Sequence, residues 1–169
     1  QMERMRQLVA RFKRAKVGGI ERGGYELRRT TVKFTGPNTV DVGGESLSAK
    51  AFVIATGSVT RPFGYDVPEG TRLCDSDDMF TLEAAPKRAT VCGGGAVGLE
   101  FAQWLARMGT AVTLVIRSQL FHSWDVELGK ELIRALSDEM TVLCPAAIQG
   151  LEDGHMTVKL GDGTEERFE

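Results

Sequence analysis

One stretch of this 169-residue chain constrains its fold more than any other: Val91-Cys92-Gly93-Gly94-Gly95-Ala96-Val97-Gly98-Leu99-Glu100. Gly93, Gly95 and Gly98 match the spacing G-x-G-x-x-G. Arg88 to Cys92, just ahead of it, reads as a strand. Ala96 to Met108, just after it, reads as a helix with an apolar face through Val97, Phe101, Leu105 and Met108. Gly109 closes that helix at a position where a left-handed cap suits glycine. Ala111 to Ile116 then reads as a strand, Val126 to Leu136 as a helix and Met140 to Leu143 as a third strand. This order predicts an α/β fold, a Rossmann-like parallel sheet with right-handed crossovers. In that context each glycine has its own task. Gly93 allows the tight strand-to-helix turn, Gly95 lets a pyrophosphate approach the backbone, and Gly98 lets the helix pack close to the strand. The first-turn amides, with those of Ala96 and Val97 among them, then face the phosphates at the positive end of the helix dipole. A glycine-rich tight turn of some other α/β domain is the competing reading.

The end of the second strand bears on which dinucleotide fits. An acidic residue about 20 positions beyond the glycines would hold the ribose hydroxyl of NAD(H). Here Val115-Ile116 is followed by Arg117 and Ser118. The planar donor fork of Arg117 suits a 2′-phosphate, and Ser118 offers a hydroxyl. NADP(H) is therefore favoured over NAD(H). An arginine left in solvent at a strand end is the alternative. His122 lies near enough in sequence to assist. Gly98 counts against NADP(H), because alanine occurs there in some NADP-specific members of this fold.

The rest of the chain is organised around this unit. Residues 1–16 read as an amphipathic helix with a basic face, ended by Gly18-Gly19. Tyr25 to Phe34 and Thr39 to Val42 read as strands separated by the turn Gly36-Pro37-Asn38, and Gly43-Gly44 turns again. The apolar run 51–55 reads as a fully buried strand. It breaks off into a loop, residues 57–70, with two prolines and three glycines. Residues 1–60, a linker with a short helix over 61–86, and residues 87–169 are the expected divisions. The tail from Ile148 to Phe168 reads as a meander with turns at Asp153-Gly154 and Gly161-Asp162-Gly163.

Lys plus Arg number 21 against 23 Asp plus Glu, a formal net charge of -2, which argues against nucleic acid as a partner. The basic stripe on the first helix keeps a basic-helix interaction domain open as a minor reading. No run is long and apolar enough for a membrane span, and the N-terminus has no secretory pattern. Cys74, Cys92 and Cys144 are widely spaced, an odd count without a zinc or redox pair, so a metal site is not expected. They suit a reducing, cytoplasmic setting and read as small buried apolar residues. Cys92 is also near a helix N-terminus, which could lower its pKa.

F-V-I-A-T-G-S (52–58), together with P-K-R-A-T-V-C-G-G-G-A-V-G-L-E-F-A (86–102), resembles the flavoprotein pyridine nucleotide–disulfide oxidoreductases, which include dihydrolipoamide dehydrogenase, glutathione reductase and mercuric reductase. Residues 30–42 are similar to the hairpin that precedes A-T-G in that family. Residues 100–109 and 117–121 look most like the mercuric reductase branch. The resemblance implies that Ala55, Thr56 and Gly57 close a flavin domain and touch FAD. It implies that Gly93, Gly95 and Gly98 hold the nicotinamide nucleotide, that Glu100 lies near the nicotinamide as a catalytic residue, and that Arg117 meets a 2′-phosphate. It further implies a homodimer when complete.

The chain also departs from the family pattern. It carries no second G-x-G-x-x-G and no C-x-x-x-x-C, and it stops before the last strand of its nucleotide domain. Ala96 stands where glutathione reductases have a tyrosine, and Thr30 where the hairpin commonly has glycine. The expected function is thus a segment of a flavin-dependent NAD(P)H oxidoreductase that orients the nicotinamide for hydride transfer to FAD. The alternative is a stand-alone NAD(P)-binding sensor without flavin or turnover.

Overall fold

A computed structural model describes residues 2–120 and 125–168. The chain divides into two compact units, residues 3–60 and residues 61–169.

The first unit contains helix α1 (Met2–Arg22) and an antiparallel sheet of β1 (Val32–Gly36), β2 (Thr39–Val42) and β3 (Glu45–Ser48). Helix α1 runs through Gly18 and Gly19, where the sequence suggested a stop. A glycine weakens a helix interior by about 1 kcal/mol without forbidding it. The helix ends at Arg22, and the N–H of the following Gly23 donates to the Gly19 and Ile20 carbonyls at 3.0 and 3.1 Å. The strand expected from Tyr25 begins only at Val32. Val32 pairs with Val42, the last residue of β2, so residues 25–31 run past the end of their partner. Strand β3, which the sequence reading passed over, pairs with β2 from Thr39↔Ser48 to Val42↔Glu45.

The buried strand expected at residues 51–55 is absent. Val53 is 93% exposed and Ile54 74%. An apolar run becomes a buried strand only where neighbours complete its ladder, and among the described residues none pairs with it. Phe52 alone packs, edge-on, against Phe34 with ring centroids 5.1 Å apart.

The second unit carries the parallel sheet. Its strands β4 (Arg88–Cys92), β5 (Ala111–Val115) and β6 (Thr141–Leu143) lie in that spatial order and alternate with helices α2 (Ala96–Arg107) and α3 (Val126–Ser137). Both strand pairs are parallel, from Arg88↔Ala111 to Cys92↔Val115 and from Thr113↔Thr141 to Val115↔Leu143. The α/β parallel architecture is therefore the one the strand–helix alternation predicts. A short 3-10 turn, Asp78–Thr81, precedes it.

Strand β5 is the hub because its side chains alternate between two cores. Val112, Leu114 and Ile116 point into one with Ala102 and Leu105 of α2 and Leu136 of α3. Val115 points into the other with Ala146, Met156 and Val158. Each such aliphatic side chain contributes roughly 1.5–3 kcal/mol when fully buried. The second core belongs to an antiparallel meander of β7 (Ala146–Glu152), β8 (His155–Leu160) and β9 (Glu165–Phe168). The meander starts two residues earlier than its pattern suggested.

Helix α2 departs from its predicted face. Val97 is 55% exposed, whereas Ala102 and Leu105 are buried. The face that meets the sheet runs through Gly98, Ala102 and Leu105, at four- and three-residue steps. Its small members let the helix sit close to β4.

Candidate functional site

The C-terminal ends of β4 and β5 open into a cleft of about 490 Å³. Its floor is Cys92 with the loop Gly93–Gly95, and one side carries Arg117 and Ser118 just past β5. Ala146 to Ile148 at the start of β7 and Tyr65 complete it. Ligands of open parallel sheets bind at this edge, where loops leave the carboxyl ends of strands.

The loop is built as its glycines require. The Gly93 N–H donates to the Val115 carbonyl at 2.9 Å, which pins the turn to β5. Gly93 has φ +122, a backbone conformation closed to ordinary side chains. A Cβ placed on Gly98 would collide with the Gly93 carbonyl oxygen, so α2 can reach the turn only because Gly98 lacks one. A Cβ on Gly95 would meet nothing within 4 Å; it would project into open space. The middle glycine, Gly94, was not singled out from sequence. Its Cβ would lie 2.6 Å from Leu120 Cδ2 and 2.8 Å from Ile116 Cγ2, so it too is held small by packing.

Helix α2 begins at Ala96 with Gly95 as its cap residue, and no side chain bonds its first-turn amides. Helix α3, by contrast, is capped by Asp125, whose carboxylate accepts from the Leu128 N–H at 3.0 Å. The first amides of a helix have no intrahelical partner and carry the positive end of its dipole. A phosphate group thus fits the observed loop, with room beside Gly95 and donors from Ala96 and Val97 onward.

Arg117 is exposed and makes no ion pair among the described residues. The Ser118 carbonyl accepts from the Cys144 thiol at 3.5 Å. The cleft brings Gly93, Gly95, Arg117 and Ser118 together. Ala96, Val97 and Gly98 follow directly in α2 but do not line it, and neither does Glu100. Glu100 is exposed and sits past the first turn of α2, which holds no acidic residue. Ala55, Thr56 and Gly57 are exposed and belong to the unit 3–60. His122 lies outside the described residues.

The cysteines depart from the reading as buried packing. Cys92 is an exposed residue, and Cys74 and Cys144 are half-buried. Although Cys92 is exposed as a residue, its thiol is desolvated and so raised to about 11, opposite to the lowering expected beside a helix N-terminus. Burial also pushes Cys144 up, against a smaller downward pull from the backbone at Leu120. Neither is poised as a nucleophile. Tyr65 is the aromatic lining residue that the sequence reading does not find. Its one signal was an exposed aromatic in a loop rich in proline and glycine. Among the described residues no helix is long and apolar enough to cross a membrane.

The family model described as pyridine nucleotide-disulphide oxidoreductase matches residues 8–169. A dihydrolipoyl dehydrogenase of Thermus scotoductus is 39% identical over 130 residues, which is 73% of this chain and 27% of that protein. A mercuric reductase of Bacillus cereus is 33% identical over 121 residues, 71% of this chain and 19% of the relative. A glutathione reductase of Burkholderia cepacia is 36% identical over 114 residues, 67% and 25% of the two chains. This chain therefore spans about a quarter or less of the length of these relatives. Among solved structures, the flavoprotein disulfide reductase RclA from Escherichia coli, as its Cu(II) complex, superposes with a TM-score of 0.64 at 20% identity. That match covers 82% of this chain and 33% of the other, and it supports the fold.

Proposed function

We propose, since this chain belongs to the pyridine nucleotide-disulphide oxidoreductase family, that its cleft holds a nicotinamide dinucleotide, NADP(H) in preference to NAD(H), and orients it for hydride transfer to FAD in the complete protein. When bound, the nicotinamide supplies the hydride and FAD is its acceptor. The chain's own residues bind and orient.

The observation that carries the reading is the juxtaposition at one cleft of an uncapped helix N-terminus, a glycine with open space at its Cβ, and an arginine at the end of β5. Amides of the first turn of α2 neutralise the pyrophosphate, Gly95 leaves it room, and Gly98 keeps the helix close to the strand. Arg117 reads the 2′-phosphate with its fork, and Ser118 adds a hydroxyl. For Glu100, further along α2 and outside the cleft's lining, the place near the nicotinamide rests on the motif alone. For Ala55, Thr56 and Gly57 the FAD contact rests on the motif alone; the cleft's lining includes none of them. The complete protein would be a homodimer working in a reducing compartment.

Titrating NADPH and NADH into wild type and Arg117→Glu tests the proposal. Arg117 is exposed, so solvent screening holds its contribution near the low end of the range for a charged hydrogen bond, about 1.5 kcal/mol or roughly tenfold in Kd. NADPH affinity falls by that factor while NADH affinity holds or improves. Unchanged relative affinities would show that Arg117 does not read the phosphate.

A further inference from the structure

We infer that Tyr65 forms the wall against which the adenine base of the dinucleotide stacks, a binding role for a residue of the loop that leads into this unit. The inference rests on the dinucleotide reading of the cleft.

Three observations carry it. The Tyr65 hydroxyl donates to the Ile148 carbonyl at 2.7 Å, a tie across 83 residues of sequence that fixes the ring against the start of β7. The Phe63 ring supports it, with centroids 5.3 Å apart and planes at 56°. Tyr65 nevertheless stays 40% exposed and borders the cleft. A phenol whose polar end is bonded and whose ring surface remains open in a cleft offers a π-face for a flat heterocycle.

The position in the cleft identifies which heterocycle. Tyr65 shares the cleft with Arg117 and Ser118, the groups proposed to read the adenosine ribose. Val97 and Glu100, further along α2, are not part of the same lining. The cleft lining also includes Ala146, Ala147 and Ile148, apolar groups that suit the edge of a flat base. Base–aromatic stacking is sequence-tolerant and contributes at the level of about tenfold in affinity.

The test titrates the full chain and two variants, Tyr65→Leu and Tyr65→Phe, with NADPH and with its two halves, adenosine 2′,5′-bisphosphate and reduced nicotinamide mononucleotide. Tyr65→Leu weakens NADPH and the adenosine half about tenfold each and leaves the mononucleotide unchanged. Tyr65→Phe keeps the ring, loses only the tie to Ile148, and falls between Tyr65→Leu and wild type. Equal weakening of all three ligands would mean that Tyr65 merely holds the loop, and would overturn the stacking assignment. So would unchanged binding of the adenosine half to Tyr65→Leu while wild type binds it. If wild type binds neither NADPH nor NADH, the dinucleotide reading itself fails, and this inference with it.

Discussion

Two glycines of one motif should fail in opposite ways when each is given a methyl group. At Gly98 the added Cβ runs into the Gly93 carbonyl oxygen, and it reaches to 3.9 Å of Val91 Cγ1. The obstacle is backbone, and the turn that holds it is itself bonded to Val115. Helix α2 must therefore move off β4, loosening Ala102 and Leu105 in the core. Overpacking of this kind costs about 1–3 kcal/mol, and a rigid obstacle puts it at the upper end. The better helix propensity of alanine returns about 1 kcal/mol. The net for Gly98→Ala is a loss of about 2 kcal/mol, or roughly 8 °C in melting temperature for a unit of this size. At Gly95 the backbone, φ -74 and ψ 166, suits any residue, and the Cβ projects into open space. Restricting the unfolded chain gains about 0.4–1 kcal/mol. Alanine is a poorer cap than glycine by a comparable amount, so stability stays within about 0.5 kcal/mol. The methyl group does occupy the space proposed for the pyrophosphate, and NADPH should bind at least about tenfold more weakly. Urea denaturation followed by circular dichroism, paired with NADPH titration, reads both quantities. A Gly98→Ala variant as stable as wild type would refute the close-packing argument, and a Gly95→Ala variant with undiminished NADPH affinity would refute the placement of the phosphates.

The chemistry of the cleft floor and of the surface carboxylates gives further expectations. With its thiol raised to about 11, Cys92 at pH 8 carries far less thiolate than an unperturbed cysteine; after allowing for the greater nucleophilicity of the more basic thiolate, its alkylation by iodoacetamide should be roughly tenfold slower. Peptide mass spectrometry resolves the three cysteines, and alkylation of Cys92 at the rate of a free thiol would contradict its desolvation. Glu139, bonded by both Arg107 Nε and Nη2 at 2.8 Å, Glu131 beside Arg134, and Asp162 bonded by Thr164 are all held below the usual carboxylate range. A carboxyl with a lowered folded pKa contributes stability that is present above its unfolded pKa and lost as pH falls through the folded one. Melting temperature should therefore decline below about pH 4.5, modestly and less at high salt, because these groups are exposed. A melting temperature that holds or rises on acidification from pH 5 to 3 would refute it.

Which parts of this structure were legible in the sequence follows from how far apart the deciding residues lie. Strands β4 and β5 and helix α3 announce themselves through local periodicity, and their ends fall within a residue or so of expectation. The apolar face of α2 does not, because the residues that approach the sheet are Gly98 and Ala102, and small size leaves no mark in a hydrophobicity pattern. The run 51–55 shows the reverse failure: its composition speaks of burial, yet burial requires strands that none of the described residues supply.

The cleft combines both kinds of information. Its glycine loop is readable because strand, turn and helix are contiguous, and the steric demand on Gly98 comes from Gly93, only five residues away. Its opposite wall is set by Tyr65 and Ile148, whose contact spans most of the unit and depends on where the meander's first strand enters. No local pattern can encode such a contact. A motif of this kind therefore locates the phosphate end of a dinucleotide site from sequence. The surfaces that would choose among bases and riboses are fixed by tertiary placement, and that is where substitutions at Arg117 and Tyr65 carry the most information.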